Sequence, residues 1–318
     1  MPSNHRLRSV WRLRSRSLEV GQRTLIMGIL NVTPDSFSDG GRFFPHPAAL
    51  DQALRMLDEG ADLIDVGGES TRPSSSPISS AEEQRRVLPV VRSILAARPD
   101  AILSIDTYHA ETARAAVDTG VEIVNDVSGH LWDPAMSATC SELACGNILM
   151  HTRGRPSEWK TQQRLAPEEV MPLVLRELRA RADAALAAGI ARQSIILDPG
   201  FGFGKIMDEN LPLLANFAEL HSLGFPLLAG LSRKSFLTKR DVGAPLLDSE
   251  TWESRHNKPG ADKIAVASHP EEAWHKDFAT SAANMAAILA GAHILRVHEV
   301  APARQVAALA DRMLAAAG

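Results

Sequence analysis

The chain has 318 residues, 45% hydrophobic and 23% charged, with a formal net charge of −4. That length and apolar content support one large folded core and exclude a wholly disordered chain. The mild acidity excludes a general polyanion binder, so no nucleic-acid partner is expected.

Residues 10–23 alternate apolar and basic side chains and then turn at Gly21, which predicts an amphipathic hairpin capping the bottom of a barrel. Eight apolar runs follow, at 24–32, 63–68, 102–107, 123–128, 148–152, 195–200, 226–231 and 294–300, and each ends on a polar or charged residue. Continuous apolar runs of this length indicate strands buried on both faces of a parallel sheet. Between them, helices are predicted at 47–59, 80–97, 110–118, 167–188, 209–220, 278–290 and 301–317. Gly60, Gly120, Gly189 and Gly224 mark helix ends, where a positive φ is wanted. Eight strand-helix units predict an α/β fold, a (β/α)₈ TIM barrel forming one domain over 1–318, with its site at the C-terminal strand ends.

The exception is 238–275, a polar stretch without sustained periodicity between the seventh strand and the last-but-one helix. Loops this long are lids, binding loops or inserts. Its apolar residues, including Trp252 and Trp274, favour partial order over a loose decoration. Cys140 and Cys145 form a single pair with no second cluster, which reads as reduced thiols on a helix or at its end. No apolar run has the length of a membrane span, and MPSNHRLRSVW lacks the apolar core of a signal peptide. A cytoplasmic location without membrane contact is expected.

The strand ends carry the chemistry. After the first strand comes Asn31 and then TPDSFSDGG, a loop with a rigid proline, two carboxylates and a Gly-Gly hinge. The second leads into GGESTRP, and the sixth into DPGFGFGK, whose alternating glycines let backbone approach a ligand closely. A glycine-rich loop ending in Lys205 suggests phosphate, although the spacing and Ile206 rule out a P-loop. Arg72, Arg233, Lys234 and Arg296 gather with His298 at strand ends, the pattern of a local anion site.

In order, MGILNVTPDSFSDGG, DVGGESTRP, SIDT, NDVSG, MH, DPGFGFGK, SRKS and RVHEV resemble the dihydropteroate synthase family over about residues 24–300. The family fold is a TIM barrel, which agrees with the reading above. The resemblance implies condensation of 6-hydroxymethyl-7,8-dihydropterin pyrophosphate with para-aminobenzoate, releasing pyrophosphate and 7,8-dihydropteroate. It further implies Mg²⁺ as cofactor, a homodimer through the late alanine-rich helices, and a candidate sulfonamide target. Asp198 is then the pterin anchor, because a carboxylate meets the ring's amidine-like donors with charge-assisted bonds. Asp106 and Asn125 complete that edge, Lys234 donates to ring acceptors, and the Arg296 guanidinium lies against the ring. Asn31 helps hold Mg²⁺, while Thr71, Arg72, Arg296 and His298 are placed to bind the diphosphate. Thr71, Pro73, Phe203 and Ser235 belong to the para-aminobenzoate slot, with 37–39, including Asp39, closing over it.

The chain departs from the family pattern at Ser74, where glycine is usual, at Thr152-Arg153-Gly154 after the MH, and in the length of 238–275. A pterin-dependent methyltransferase would share the Asp/Asn edge but would have no diphosphate to release. That leaves Arg72, His298 and the first loop without purpose. A non-catalytic pterin-binding paralogue would be expected to lose parts of the anion site, and this chain keeps them all.

Overall fold

The computed structural model describes residues 6–33, 46–70, 77–238 and 270–317. Strands β1 (Ser9–Arg12) and β2 (Ser17–Val20) pair antiparallel as the expected hairpin. Its reversal is at 13–16, where Leu13 N donates to Arg16 O at 2.9 Å. Gly21, expected as the turn, instead redirects the chain into the next strand with φ 96°. A Cβ there would sit 2.5 Å from Leu7 O, so only glycine fits.

Eight parallel strands follow: β3 (Leu25–Asn31), β4 (Leu63–Gly67), β5 (Leu103–Asp106), β6 (Ile123–Asp126), β7 (Gly146–Met150), β8 (Ile195–Asp198), β9 (Leu228–Ala229) and β10 (Ile294–Val297). They form one sheet in the order β8-β7-β6-β5-β4-β3-β10-β9. A parallel bridge between Leu197 and Leu227 closes it into a barrel, with Leu197 N donating to Pro226 O at 3.0 Å. The helices are α1 (His46–Asp58), α2 (Ser80–Ala97), α3 (Ala110–Thr119), α4 (Met136–Leu143), α5 (Pro167–Ala187), α6 (Asn210–Ala215), α7 (Pro270–Leu289) and α8 (Val300–Ala317). They give the predicted (β/α)₈ architecture. Gly60, Gly120, Gly189 and Gly224 all have positive φ, as their places before the next strand require. No described helix is long and apolar enough to cross a membrane.

Three element boundaries differ from the sequence reading. The single helix expected at 209–220 is broken into α6 and a 3₁₀ segment, Phe217–Leu223. At the break, the Asn216 side chain donates to Pro212 O at 2.9 Å, competing with the backbone ladder. Helix α7 begins at Pro270 rather than at 278, so Trp274 lies in a helix and not in the insertion. Pro270 followed by two glutamates is a helix start, with proline's fixed φ suited to the first position and acids favoured by the dipole. The rest of the insertion, 239–269, lies outside the described residues. Helix α4 was given no bounds from the sequence, but the cysteines stand as read: Cys140 is in it and Cys145 just beyond its end, both thiols free and buried.

Two apolar layers explain the continuous hydrophobic runs. Outward residues such as Ile26, Leu30, Ile64 and Val66 pack under the helices. Inward residues Leu25, Met27, Leu63, Ile123, Ile148, Ile196, Leu228 and Ile294 form a second cluster with Trp11, Leu13 and Val20 of the hairpin segment. The hairpin therefore seals the bottom of the barrel from inside. Trp11 is 1% exposed, and its indole N–H donates to Ser194 O at 3.1 Å. Replacing Trp11 with Ala should cost about 3–5 kcal/mol through the cavity left behind. Chemical denaturation of the variant checks this, and an unchanged midpoint would show that the hairpin is not part of the core.

Candidate active site at the C-terminal ends of the barrel strands

Strand alternation puts every second residue inside the barrel. In β4 the inward Leu63 is followed by Asp65 and Gly67. In register with them stand Ile29 and Asn31 on β3, then Ser104 and Asp106 on β5, and Asn125 on β6. The same two-residue step carries β8 from Ile196 to Asp198 and β10 from Ile294 to Arg296. The interior thus changes from an apolar bottom to a polar top within two residues on β4, β6, β8 and β10. Gly67 and Gly230 leave that top open. A Cβ on Gly67 would lie 3.5 Å from Asp106 Cβ and 3.8 Å from Asn31 Oδ1, and one on Gly230 3.7 Å from Asp198 Oδ2.

Arg296 organises the polar layer. Its Nε donates to Asp65 Oδ2 at 2.6 Å and its Nη2 to Asp106 Oδ2 at 2.5 Å. Asn125 Nδ2 donates to the same Asp65 oxygen at 2.8 Å. Asp65 is wholly buried and was missed by the sequence reading of the site. A carboxylate in the middle of an otherwise apolar strand was the available signal, since burying an ion demands a partner. Burial, opposed by Arg296, pushes the Asp106 carboxyl up to about 7.

On the facing side, Asp198 Oδ1 accepts from Gly200 N at 2.7 Å. Burial pushes its carboxyl up to about 6 despite that bond. The Lys234 ammonium stands 4.0 Å over the Phe203 ring, a cation–π contact. Burial and the charge of Arg296 bring its pKa down to about 8, with Asp198 and Asp106 opposing. Phe203 meets Trp159 edge-on at 5.3 Å.

His298 completes the cluster on the β10 side. Ser232 Oγ accepts from His298 N at 3.2 Å and lies 2.9 Å from His298 Nδ1. Ser232 Oγ keeps a second lone pair and its own hydrogen for Nδ1, so the direction of that bond follows the imidazole tautomer. Burial and the neighbouring cations lower the His298 pKa to about 4, so the ring is neutral near pH 7.

Of the residues singled out from sequence, Asn31, Asp106, Asn125, Asp198, Phe203, Lys234, Ser235, Arg296 and His298 are at or just beyond the strand ends. Asn31 and Ser235 are exposed. Thr71, Arg72, Pro73, Ser74 and the loop with Asp39 lie outside the described residues. Two readings change. Arg233 (φ 57°) does not join the cation cluster; its guanidinium pairs with Asp277 at 3.1 Å and Glu299 at 2.8 Å. Lys205, read as a phosphate ligand, is turned inward and 3% exposed, with Nζ 2.9 Å from His151 Nδ1. The close packing of the loop on the β7 end forces this. A Cβ on Gly200 would lie 1.9 Å from His151 O, and one on Gly204 2.6 Å from Arg153 O.

A family model described as pterin binding enzyme matches residues 27–298. A dihydropteroate synthase of Synechocystis is 40% identical over 294 residues, covering 92% of this chain and 91% of its own length. That of Haemophilus influenzae is 40% identical over 276 residues, 87% of this chain and 89% of its own. A Xanthomonas albilineans dihydropteroate synthase solved with 4-aminobenzoic acid superposes with a TM-score of 0.78 at 35% identity, over 97% of this chain and 99% of that one. A Yersinia pestis dihydropteroate synthase solved with a sulfonamide drug gives 0.78 at 34% identity, over 97% and 100%. Matched along most of its length in sequence and in fold, the chain belongs to the pterin-binding enzyme family, among the dihydropteroate synthases.

Proposed function

We propose that the chain joins 6-hydroxymethyl-7,8-dihydropterin pyrophosphate to para-aminobenzoate, giving 7,8-dihydropteroate and pyrophosphate. The observation that carries this reading is the facing pair of carboxylates, Asp106 and Asp198, around an open barrel top with one ammonium, Lys234, between them in charge. A pterin offers donors along its amidine edge and acceptors on the ring opposite. Asp198 and Asp106 would accept from the donors, Asn125 would offer its amide oxygen, and Lys234 would donate to the acceptors. Arg296 holds Asp65 and Asp106 through Nε and Nη2, so its flat face is what it offers to the ring. A related X. albilineans synthase has been solved in complex with 7,8-dihydropteroate, which supports the same ligand class here.

In the reaction, the bond from the pterin methylene carbon to the diphosphate oxygen breaks, and its electron pair leaves with the diphosphate. The neutral aniline nitrogen forms the new bond to that carbon and then loses a proton to solvent. His298 would offer a ring N–H to the departing anion, with Arg72 and Thr71 assigned alongside it from the sequence motif. Phe203, Pro73, Thr71 and Ser235 would form the aminobenzoate slot, closed by Asp39 and its loop.

Mg²⁺ is a hard cation that takes oxygen ligands. Among the described residues no group of three or more His, Cys, Asp or Glu could hold a metal ion. The exposed amide oxygen of Asn31 suits a hard cation that keeps most of its waters and shares the diphosphate, so the residues fit. Bound there, Mg²⁺ would supply charge neutralisation to the leaving group.

A homodimer is proposed as well, supported by Leu309 and Met313, which lie one turn apart on α8 and are about half exposed. A cytoplasmic location fits two free thiols.

The deciding experiment is dihydropteroate formation from the two purified substrates, with and without Mg²⁺. Lys234→Ala and Asp198→Asn should each remove about 2–4 kcal/mol of transition-state stabilisation with the fold intact. Near-normal turnover in either variant would remove the pterin-edge assignment.

The raised pKa of Asp198 sets a second expectation. Its carboxyl is charged above about 6 and protonated below, so pterin affinity should be full above that pH and decline as pH falls through it. The decline should approach about tenfold per pH unit. Calorimetry with 6-hydroxymethylpterin on the two sides of that pKa checks this, and a flat profile would disprove the charge-assisted anchor. For the dimer, light scattering on Leu309→Glu should show a shift towards monomer; an unchanged mass would place the interface elsewhere.

A further inference from the structure

Lys205 closes the glycine-rich loop, and nothing in the chemistry above uses it. It is 3% exposed, and no carboxylate forms an ion pair with it among the described residues. An ammonium has three donors and no acceptor, so its place must be explained by what it donates to. Nζ lies 3.2 Å from Phe203 O and 2.9 Å from His151 Nδ1. Lys205 and His151 Nδ1 share that bond, its direction set by the imidazole tautomer, and the other ring nitrogen is Nε2. That atom is 3.2 Å from Glu177 Oε2 on α5. Burial and the surrounding cations hold His151 well below its usual pKa, in keeping with a neutral ring carrying one proton. Glu177 also pairs with Arg181 at 3.7 Å, and Arg181 Nη2 donates to Thr152 O at 3.0 Å. The hydrogen-bonded link therefore runs from His151, at the end of β7, through Lys205 to the Phe203 carbonyl, while His151 Nε2 makes no hydrogen bond to Glu177.

That carbonyl belongs to the residue beneath Lys234. Phe203 is flanked by Gly202 (φ 78°) and Gly204 (φ 70°), both in the region where the local backbone resists rotation least. Among the described residues its carbonyl receives two bonds of similar length, from Lys205 Nζ at 3.2 Å and Arg153 N at 3.3 Å. A peptide between two such glycines needs an outside hold to keep its ring in one place. The glycines make the turn possible, but they do not select it.

We propose that Lys205, supported by His151, is a positioning residue that fixes the Phe203 carbonyl and thereby sets the Phe203 ring as wall of the aminobenzoate slot. The identity of that slot rests on the function proposed above. Asp198 is held separately, by Gly200 N, so pterin binding should be largely indifferent to Lys205.

The test uses the full chain with Lys205→Met, which keeps the length of the side chain and removes its donors. The expected result is a rise of about tenfold or more in KM for para-aminobenzoate, with KM for the dihydropterin pyrophosphate within about twofold of wild type. Amide deuterium exchange in 203–206 should quicken, with the Gly200 amide unchanged. His151→Leu should reproduce the effect, and His151→Asn, which returns an acceptor at the Nδ1 position, should restore most of it. Equal rises in both KM values, unchanged exchange, or identical behaviour of the two His151 variants would overturn the proposal. If Lys205→Met does not fold, the two His151 variants decide. Absence of dihydropteroate formation by the wild type would instead count against the proposed reaction, and the exchange measurement would still decide the positioning role.

Discussion

The bidentate hold of Arg296 on Asp65 and Asp106 is the constraint on which the upper half of the barrel depends. Three charges inside a barrel are expensive to desolvate, and their attraction returns that cost only if the geometry is close. Here the strands fix it: Asp65 and Asp106 lie on neighbouring strands, and Arg296 reaches both from β10. Removing one member of such a set strands the others, at about 3–5 kcal/mol in comparable sites. The network therefore makes the polar layer rigid, and its retention makes sense as site construction more than as stabilisation. Asn125, fixed to the same Asp65 oxygen, keeps its own carbonyl oxygen for other use.

The bottom of the barrel makes that polar layer tolerable. Trp11, Leu13 and Val20 fill the interior below it, so water reaches the charged groups from one side only. With solvent restricted to the open face, carboxyl pKa values rise towards neutrality and the Lys234 ammonium falls towards it. Carboxyl and ammonium groups held this close to neutrality suit a ligand that brings matching donors and acceptors. Glycine at positions 67 and 230 makes space for such a ligand where any side chain would intrude.

The glycine-rich loop shows a division of labour between its parts. Asp198 faces the site, Phe203 supports Lys234, and Lys205 turns back into the protein. A loop ending in lysine is commonly read as a phosphate cradle, and its sequence alone does not distinguish the two directions of that side chain. The direction follows from contact with β7: backbone lies so close at Gly200 and Gly204 that the loop is pressed flat on residues 151–153, leaving Lys205 facing His151.

Most of the fold was legible in the chain. Apolar runs ending on polar residues located eight strands, helix-ending glycines located the turns between them, and alternation at 10–23 announced the hairpin. These features are local, governed by period and by backbone preference, which is why they survive without knowledge of neighbours. Even the site's position followed, because strand direction in a parallel barrel sends all C-terminal ends to one face. Only tertiary structure could decide partners. Asp65 reads as an oddity within LIDVG until Arg296, far along the chain, is brought beside it. Arg233 and Lys234 are adjacent in sequence, yet one pairs outward with Asp277 and Glu299 while the other enters the site. Charge in a sequence specifies what a residue can bind. Whether it does so depends on the desolvation and counter-charge supplied by residues that only folding brings within a few ångströms.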